Sequence, residues 1–415
     1  MQNVAGIIAE YNPFHNGHAR HIQKTRALTG CDWLIVVMSG NFTQRGEPAL
    51  LDKWMRAQMA LDAGADIVLE LPALFAVRPA DRFAMGGVEI LGALGVCDML
   101  SFGCEVTNLS LLKRLAEVLE AEPPDFSAIL RTHLSEGKSF PRARGEALCE
   151  YLNVPPEWVN GPNTVLALEY IRANERLEVP MGLCVVQRDS DYHSEQMGEV
   201  ASASAIRKAV FEGRMDEAYA AMPEAAAKLM REAGRTRMAD IAALDNLLIY
   251  RLRALEAEQI ARLPDVSEGL EMRIKKKIGQ STTREALLEQ LKCKRYTMAR
   301  LSRICTYALL GLDRALVEAY PQPRYLRILG FQNWARPLLR EIASNGRLPL
   351  IGSAKALAGD ECFALERRAT DLWGLCTQDP ALRRAGRDFT ERMPVHYADP
   401  KIARIPDKME NPIDN

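Results

Sequence analysis

Long apolar runs are missing: no stretch approaches the ~18 residues that a membrane helix needs, so nothing here is expected to span a membrane. The start, "MQNVAGIIAEYNPFHNGH", lacks the charged opening and apolar core of a secretory signal. The nine cysteines (31, 97, 104, 149, 184, 293, 305, 362 and 376) are scattered, and no two form a C-x-x-C pair. That spacing suggests neither a zinc framework nor a disulfide scaffold, and fits reduced thiols in the cytoplasm. An excess of one charge is missing too. With 53 Lys and Arg against 54 Asp and Glu, the net charge of -1 excludes a protein basic all over, while leaving room for a local basic patch. Histidine is scarce, yet three of the six fall within seven positions: His15, His18 and His21.

The chain of 415 residues has room for two or three domains. Its first two hundred residues alternate short apolar runs with amphipathic stretches. "VAGIIAEY" (4–11), "WLIVVMSG" (33–40), "DIVLELP" (66–72), "DMLSFGCE" (98–105) and "GLCVVQRD" (182–189) read as strands. The segments between them carry helical apolar spacing. This rhythm predicts an α/β fold with a doubly wound, mostly parallel sheet, in which ligands bind beyond the carboxyl ends of the strands. From about residue 205 the rhythm turns helical, with a smaller helix–strand stretch in "WARPLLREIASNGRLPLIGSAKAL". The expected division is a catalytic part at 1–210, a largely helical part at 211–400 and a loose tail at 401–415. The closing "ADPKIARIPDKMENPIDN" (398–415) has three prolines and little apolar content.

The histidines cluster where a strand gives way to a helix. The strand ends at Glu10 or Tyr11, and Asn12-Pro13 then makes a turn, because proline fixes its own φ and turns its predecessor away from helix. Asn16-Gly17 lets the backbone approach a ligand before a helix begins. Such a junction points backbone N–H groups and the positive end of a helix at one spot, which suits phosphate. His15 and His18 would add two donors there. A metal site lacks a fourth ligand of suitable spacing. A capping or packing role for the histidines stays open on these residues alone.

The stretch "EYNPFHNGH" resembles the signature of the H-x-G-H nucleotidyltransferase superfamily. In that superfamily both histidines and the glycine hold ATP phosphates and stabilise attack on the α-phosphorus. Its second motif, close to S/T-x-S/T-x-x-R at a helix start, is matched by Ser202, Ser204 and Arg207 in "SASAIRKAV". Serine hydroxyls can grip phosphate oxygens and Arg207 supplies a charged fork, although a plain serine N-cap explains the stretch by itself. The longer runs "GIIAEYNPFHNGH", "VVMSGNFTQRGEPALLDKWMRAQMAL", "GADIVLELP", "SFGCE", "GPNTVLALEYIRA" and "CKRYTMARLSRI" resemble the tRNA(Met) cytidine acetate ligase family. Glutamate-tyrosine at 10–11, in place of the superfamily's usual threonine-phenylalanine, is specific to that resemblance.

The resemblance implies two chemical steps. Acetate attacks the α-phosphate of ATP, giving acetyl-adenylate and pyrophosphate. The N4 of the wobble cytidine (position 34) in elongator tRNA(Met) then takes the acetyl group and AMP leaves. It implies catalytic roles for His15, Gly17, His18 and Arg207. ATP contacts would run through Ile8, Ala9, Glu10, Tyr11, Asn12, Pro13, Phe14, His15, Asn16, Gly17, His18, Ala19, Arg20 and His21. They would continue at Gly103, Asn163, Arg188, Ser202 and Ser204. Mg²⁺ normally accompanies ATP phosphates, yet no ligand constellation in the sequence demands it, and no protein partner is implied.

Arg45, Glu47 and Lys53 in "RGEPALLDKW" either sit over the acetate or cytosine or are solvated charges. Asp189, Asp191 and His193 are polar loop residues with no role assigned. From Arg273 to Arg303 there are ten basic residues against two acidic, a strong local excess in a neutral chain. Lys275, Lys276, Lys277, Lys292, Lys294, Arg295, Tyr296, Arg300 and Arg303 are the expected tRNA contacts, with Lys292, Arg295 and Arg303 near one helical stripe and Tyr296 available to an unstacked base. Two other readings remain at this point. A small-molecule nucleotidyltransferase acting on a phosphorylated metabolite would not need this basic surface. A non-catalytic RNA-binding protein would not need His15, Gly17, His18 and Arg207 intact.

Overall fold

The computed structural model describes residues 3–188 and 201–396. The five expected strands are present: β1 (Val4–Ala9), β2 (Trp33–Ser39), β3 (Ile67–Leu71), β4 (Met99–Cys104) and β5 (Gly182–Gln187). They pair in parallel in the order β5-β4-β1-β2-β3. Runs such as "WLIVVMS" are apolar at nearly every position because both faces of the sheet are covered. Alternate residues feed two separate cores: Trp33, Ile35 and Val37 point into one, while Leu34, Val36 and Met38 point into the other.

The chain winds outward from β1 through β2 to β3, then returns to the other side of β1 with β4 and β5. The direction of winding therefore reverses between β1 and β4. At such a reversal the loops leave the sheet in opposite directions and open a crevice past the strand ends.

The sheet does not stop at residue 210. A strand over Leu326–Gln332 (β6) runs antiparallel to β3, pairing Val68 with Gly330 and Leu69 with Ile328. Two short strands, β7 (Leu350–Ile351) and β8 (Val395–His396), pair in parallel with β6. Helices do fill the region between Ala203 and Ala319, but the last part of the expected helical segment completes the first sheet. "LRILGFQ" escapes notice because Arg327 interrupts its apolar run, and its partner strand lies far away in sequence. The tail expected at 401–415, and the loop holding Asp189, Asp191 and His193, lie outside the described residues.

Candidate active site

The turn after β1 is built on a pair of histidines. The Asn12-Pro13 peptide is cis, and Tyr11 and Phe14 are buried with their rings in edge contact at 4.7 Å. His15 is the N-cap of the helix Asn16–Thr29, and its Nδ1 accepts the Gly17 amide at 3.1 Å. Three residues on, His18 Nδ1 accepts the His15 amide at 3.3 Å. This is a capping box made from two imidazoles instead of serine and glutamate.

The cap fixes the tautomer. A backbone amide always donates, so each Nδ1 is bare and each neutral ring carries its proton on Nε2. The rings are also kept neutral. Burial, with Arg188 and Arg207 nearby, lowers the His15 pKa to about 3. Burial and the neighbouring His15 hold His18 well below the usual histidine range. The two rings stack with centroids 3.7 Å apart, which two imidazolium ions would not tolerate. His21 faces the sheet, with Nε2 3.3 Å from Ser101 Oγ.

Arg207 lies across this turn, donating to the Asn12 carbonyl at 2.7 Å and reaching Ser204 Oγ at 3.4 Å. Ser202 caps the helix Ala203–Phe211 by accepting the Ala205 amide at 3.1 Å. On the β4 side, Arg188 NH1 donates to Asn163 Oδ1 at 2.9 Å. A Cβ on Gly103 would come within 3.1 Å of the Arg188 side chain, so glycine is what lets that arginine lie over β4. Asn163 is anchored by Glu105, which accepts from its side-chain amide at 2.6 Å and from the Thr164 amide at 2.8 Å. Glu105 went unassigned in the sequence, although it closes the quoted "SFGCE".

These groups surround one cavity of about 430 Å³ at the β1–β4 crevice. Ile8, Ala9, Glu10, Tyr11, Asn12, His15, His18, His21, Gly103, Asn163, Arg188, Ser202, Ser204 and Arg207 all line it. Pro13, Phe14, Asn16, Gly17, Ala19 and Arg20, expected along the same run, are not on its wall. Phe14 is a core side chain, and Asn16 gives its amide to the Ala221 carbonyl at 3.0 Å. Among the described residues no group of three or more His, Cys, Asp or Glu converges to hold a metal ion.

Residues 1–388 match the family model of the HIGH nucleotidyl transferases. The chain is 39% identical over 407 residues to the tRNA(Met) cytidine acetate ligase of Syntrophomonas wolfei, covering 93% of this chain and 98% of that one. It is 38% identical over 384 residues to the enzyme of that name from Clostridium perfringens, covering 89% and 94%. The chain belongs to the tRNA(Met) cytidine acetate ligase family. A crystal structure of Thermotoga maritima TmcAL bound with alpha-thio ATP superposes with a TM-score of 0.88 at 32% identity, covering 96% of this chain and all of that one.

Within this family fold, the structure separates residues that the sequence had grouped together. Arg45 and Glu47 line the cavity, but Lys53 does not. Lys53 is neither over a substrate nor solvated: it is fully buried, with Nζ 2.7 Å from both Glu70 and Asp388. Arg327 of β6 completes this cluster at 2.7 Å from the same two carboxylates. The Thr43–Glu47 turn is instead held from the helical region. Ser302 donates to the Arg45 carbonyl at 2.5 Å and Thr306 to the Gly46 carbonyl at 2.6 Å.

The basic segment is corrected in the same way. Lys292 to Thr297 is a loop between the helices Arg284–Leu291 and Met298–Leu310, so no single helical stripe runs through it. Tyr296 is buried, its hydroxyl donating to the Glu268 carbonyl at 3.3 Å and its ring under Arg300, so it offers no face to a base. Arg300 caps carbonyl Asp265 at 2.8 Å, and Lys275 donates to the carbonyls of Arg253 and Leu255 at 3.1 and 2.7 Å. Arg303 is buried, pairs with Asp265 at 3.2 Å and reaches the cavity wall. Lys276, Lys292, Lys294 and Arg295 stay exposed, with Lys277 half-buried beside them. All nine cysteines are free thiols, and no helix among the described residues is long and apolar enough to cross a membrane.

Proposed function

We propose that this chain joins acetate to ATP and passes the acetyl group to N4 of the wobble cytidine of elongator tRNA(Met), as a cytoplasmic enzyme. The observation that carries the reading is the double imidazole cap: two neutral rings, both with Nδ1 occupied by backbone and Nε2–H left for the cavity. The family, and the ATP analogue on its solved member, support the same assignment of the cavity to the nucleotide.

In the first step an oxygen of ionised acetate bonds to the α-phosphorus, and the bond from that phosphorus to the bridging oxygen of pyrophosphate breaks. Acetate needs no base to become a nucleophile, so the barrier falls through placement and charge stabilisation. His15 and His18 donate to phosphate oxygens without carrying charge of their own. Arg207 and Arg188 supply the positive charge, and Ser202 and Ser204 flank the phosphates at the start of their helix. Fixed donors of this kind are each worth about 2.7–4 kcal/mol in the transition state.

The exposed Lys276, Lys292, Lys294 and Arg295 are assigned to tRNA phosphates, which need cations and no sequence reading. A cytidine in an anticodon loop is already unpaired and need only be splayed toward the cavity.

The test is His18→Ala, assayed for acetate-dependent ATP–pyrophosphate exchange and, separately, for tRNA binding. Exchange is expected to fall by about 10²–10³-fold while tRNA affinity is retained. If wild-type protein with ATP, acetate and tRNA yielded neither AMP nor acetylated cytidine, the assignment would be abandoned.

A further inference from the structure

Glu10 lines the cavity at the end of β1, just before the histidine turn, and is bonded to Gln44 of the Thr43–Glu47 turn. It is held at both ends. Arg56 NH1 donates to its backbone carbonyl at 2.5 Å, and its own Oε1 accepts the Gln44 amide at 2.6 Å. The other carboxyl oxygen has no hydrogen-bond donor, and no cation stands within ion-pair distance, among the described residues. Burial raises the Glu10 pKa even though Arg56, Arg207 and Arg45 pull it down from farther off. Tyr170, on the helix Pro162–Glu175, feels the same charge from the other wall. His15 and His18 across the cavity are already neutral.

A half-buried carboxyl that faces the nucleotide cavity without an ion pair calls for a chemical reason. Nucleotide binding does not supply one, because a carboxylate beside a triphosphate repels it. Acetate activation does not either, since that nucleophile arrives ionised. The second step does need such a group. The exocyclic amine of cytosine is not basic, and it must shed a proton as it is acylated.

We propose that Glu10 is the general base of acetyl transfer, the group that takes the N4 proton of the acceptor cytidine. This rests on the reading of the function given above. The N4 lone pair forms the bond to the acetyl carbon, and the N4 proton passes to the uncommitted oxygen of Glu10. The bond from the acetyl carbon to the adenylate oxygen breaks with its electron pair on AMP, and Glu10 then returns the proton to water. Nothing is oxidised or reduced. A carboxyl with a raised pKa lies nearer the working pH, where a base is most effective.

Glu10→Gln keeps the size of the side chain and an oxygen for the Gln44 amide but cannot accept the proton. Two rates are measured: acetate-dependent ATP–pyrophosphate exchange, and single-turnover transfer from preformed acetyl-adenylate to tRNA. Glu10 lines the nucleotide cavity, so exchange will change as well; transfer is expected to fall by about 100-fold or more, and by a clearly larger factor than exchange, since a base contributes only where a proton moves. Wild-type transfer should rise with pH through one ionisation that vanishes in the variant. Equal loss of both rates, or transfer at the wild-type pace, overturns the proposal. So does a Glu47→Gln variant that loses transfer while Glu10→Gln keeps it. Should Glu10→Gln fail to fold, the wild-type profile still decides, and transfer flat over roughly pH 5 to 9 overturns it. Absence of exchange in wild-type protein would instead sink the function on which the proposal rests.

Discussion

Replacing Lys53 by methionine removes one of two cations that share two carboxylates in the interior. Lys53 and Arg327 each lie 2.7 Å from Glu70 and from Asp388, and all four side chains are between 0% and 5% exposed. The four formal charges cancel. Without Lys53 one negative charge remains uncompensated, and removing one partner of a buried pair costs about 3–5 kcal/mol. That is a factor of about a hundred to several thousand in the folding constant. Urea denaturation at neutral pH measures it directly. Burial alone would raise the Asp388 pKa, yet Lys53 and Arg327 hold it at about 2. A carboxylate with a depressed pKa stabilises the fold above its ordinary 3.8 and loses that contribution as pH falls toward the depressed value. The deficit of Lys53→Met is therefore largest at neutral pH and narrows below pH 3.8. Adding Glu70→Gln to Lys53→Met restores neutrality and should recover more than half of the loss. The reasoning is refuted if Lys53→Met lies within about 1 kcal/mol of wild type, the scale of an exposed pair, or if it is fully stable and fails only in its use of acetate.

Two further outcomes follow from local geometry. Gly46 has φ +73°, and a Cβ there would meet the Arg303 backbone at 2.7 Å; Gly46→Ala should cost about 1–3 kcal/mol and slow acetyl transfer more than exchange, and an unchanged melting temperature would contradict this. The His15 pKa is lowered from 6.5 to about 3, so its contribution to stability is complete above 6.5 and lost as pH falls toward 3. At pH 5 the loss is about 2 kcal/mol, from 1.36 kcal/mol for each unit below 6.5; His15→Asn keeps an N-cap acceptor and should remove that part of the pH dependence, whereas an identical slope in both proteins would refute it.

What the sequence disclosed follows the range of the interactions. Strands β1 to β5 are legible because each is a short apolar run closed by its own turn, and the histidine turn is legible because its cap joins residues two or three apart. Ser202 caps a helix, as a serine at that position does, and also lines the cavity. Lys53 was misplaced because its partner Asp388 lies 335 residues along the chain, and no local pattern marks a lysine as buried. Tyr296 reads as a surface aromatic among basic neighbours, and only the packing of the Glu268 and Asp265 carbonyls against it and Arg300 draws it inward. Exposure of the remaining lysines could be settled only once the helix was seen to break at Lys292.

Because β6 lies against β3 and Arg327 and Asp388 close over Lys53, the ribosome must deliver nearly four hundred residues before the first sheet has its full edge. Until then the nascent chain holds a strand with open hydrogen-bonding groups and a Lys53–Glu70 pair that still lacks Arg327 and Asp388. A chain cut short after the helical region would retain every histidine of the site yet lack β6, Arg327 and Asp388, and is expected to aggregate or be degraded.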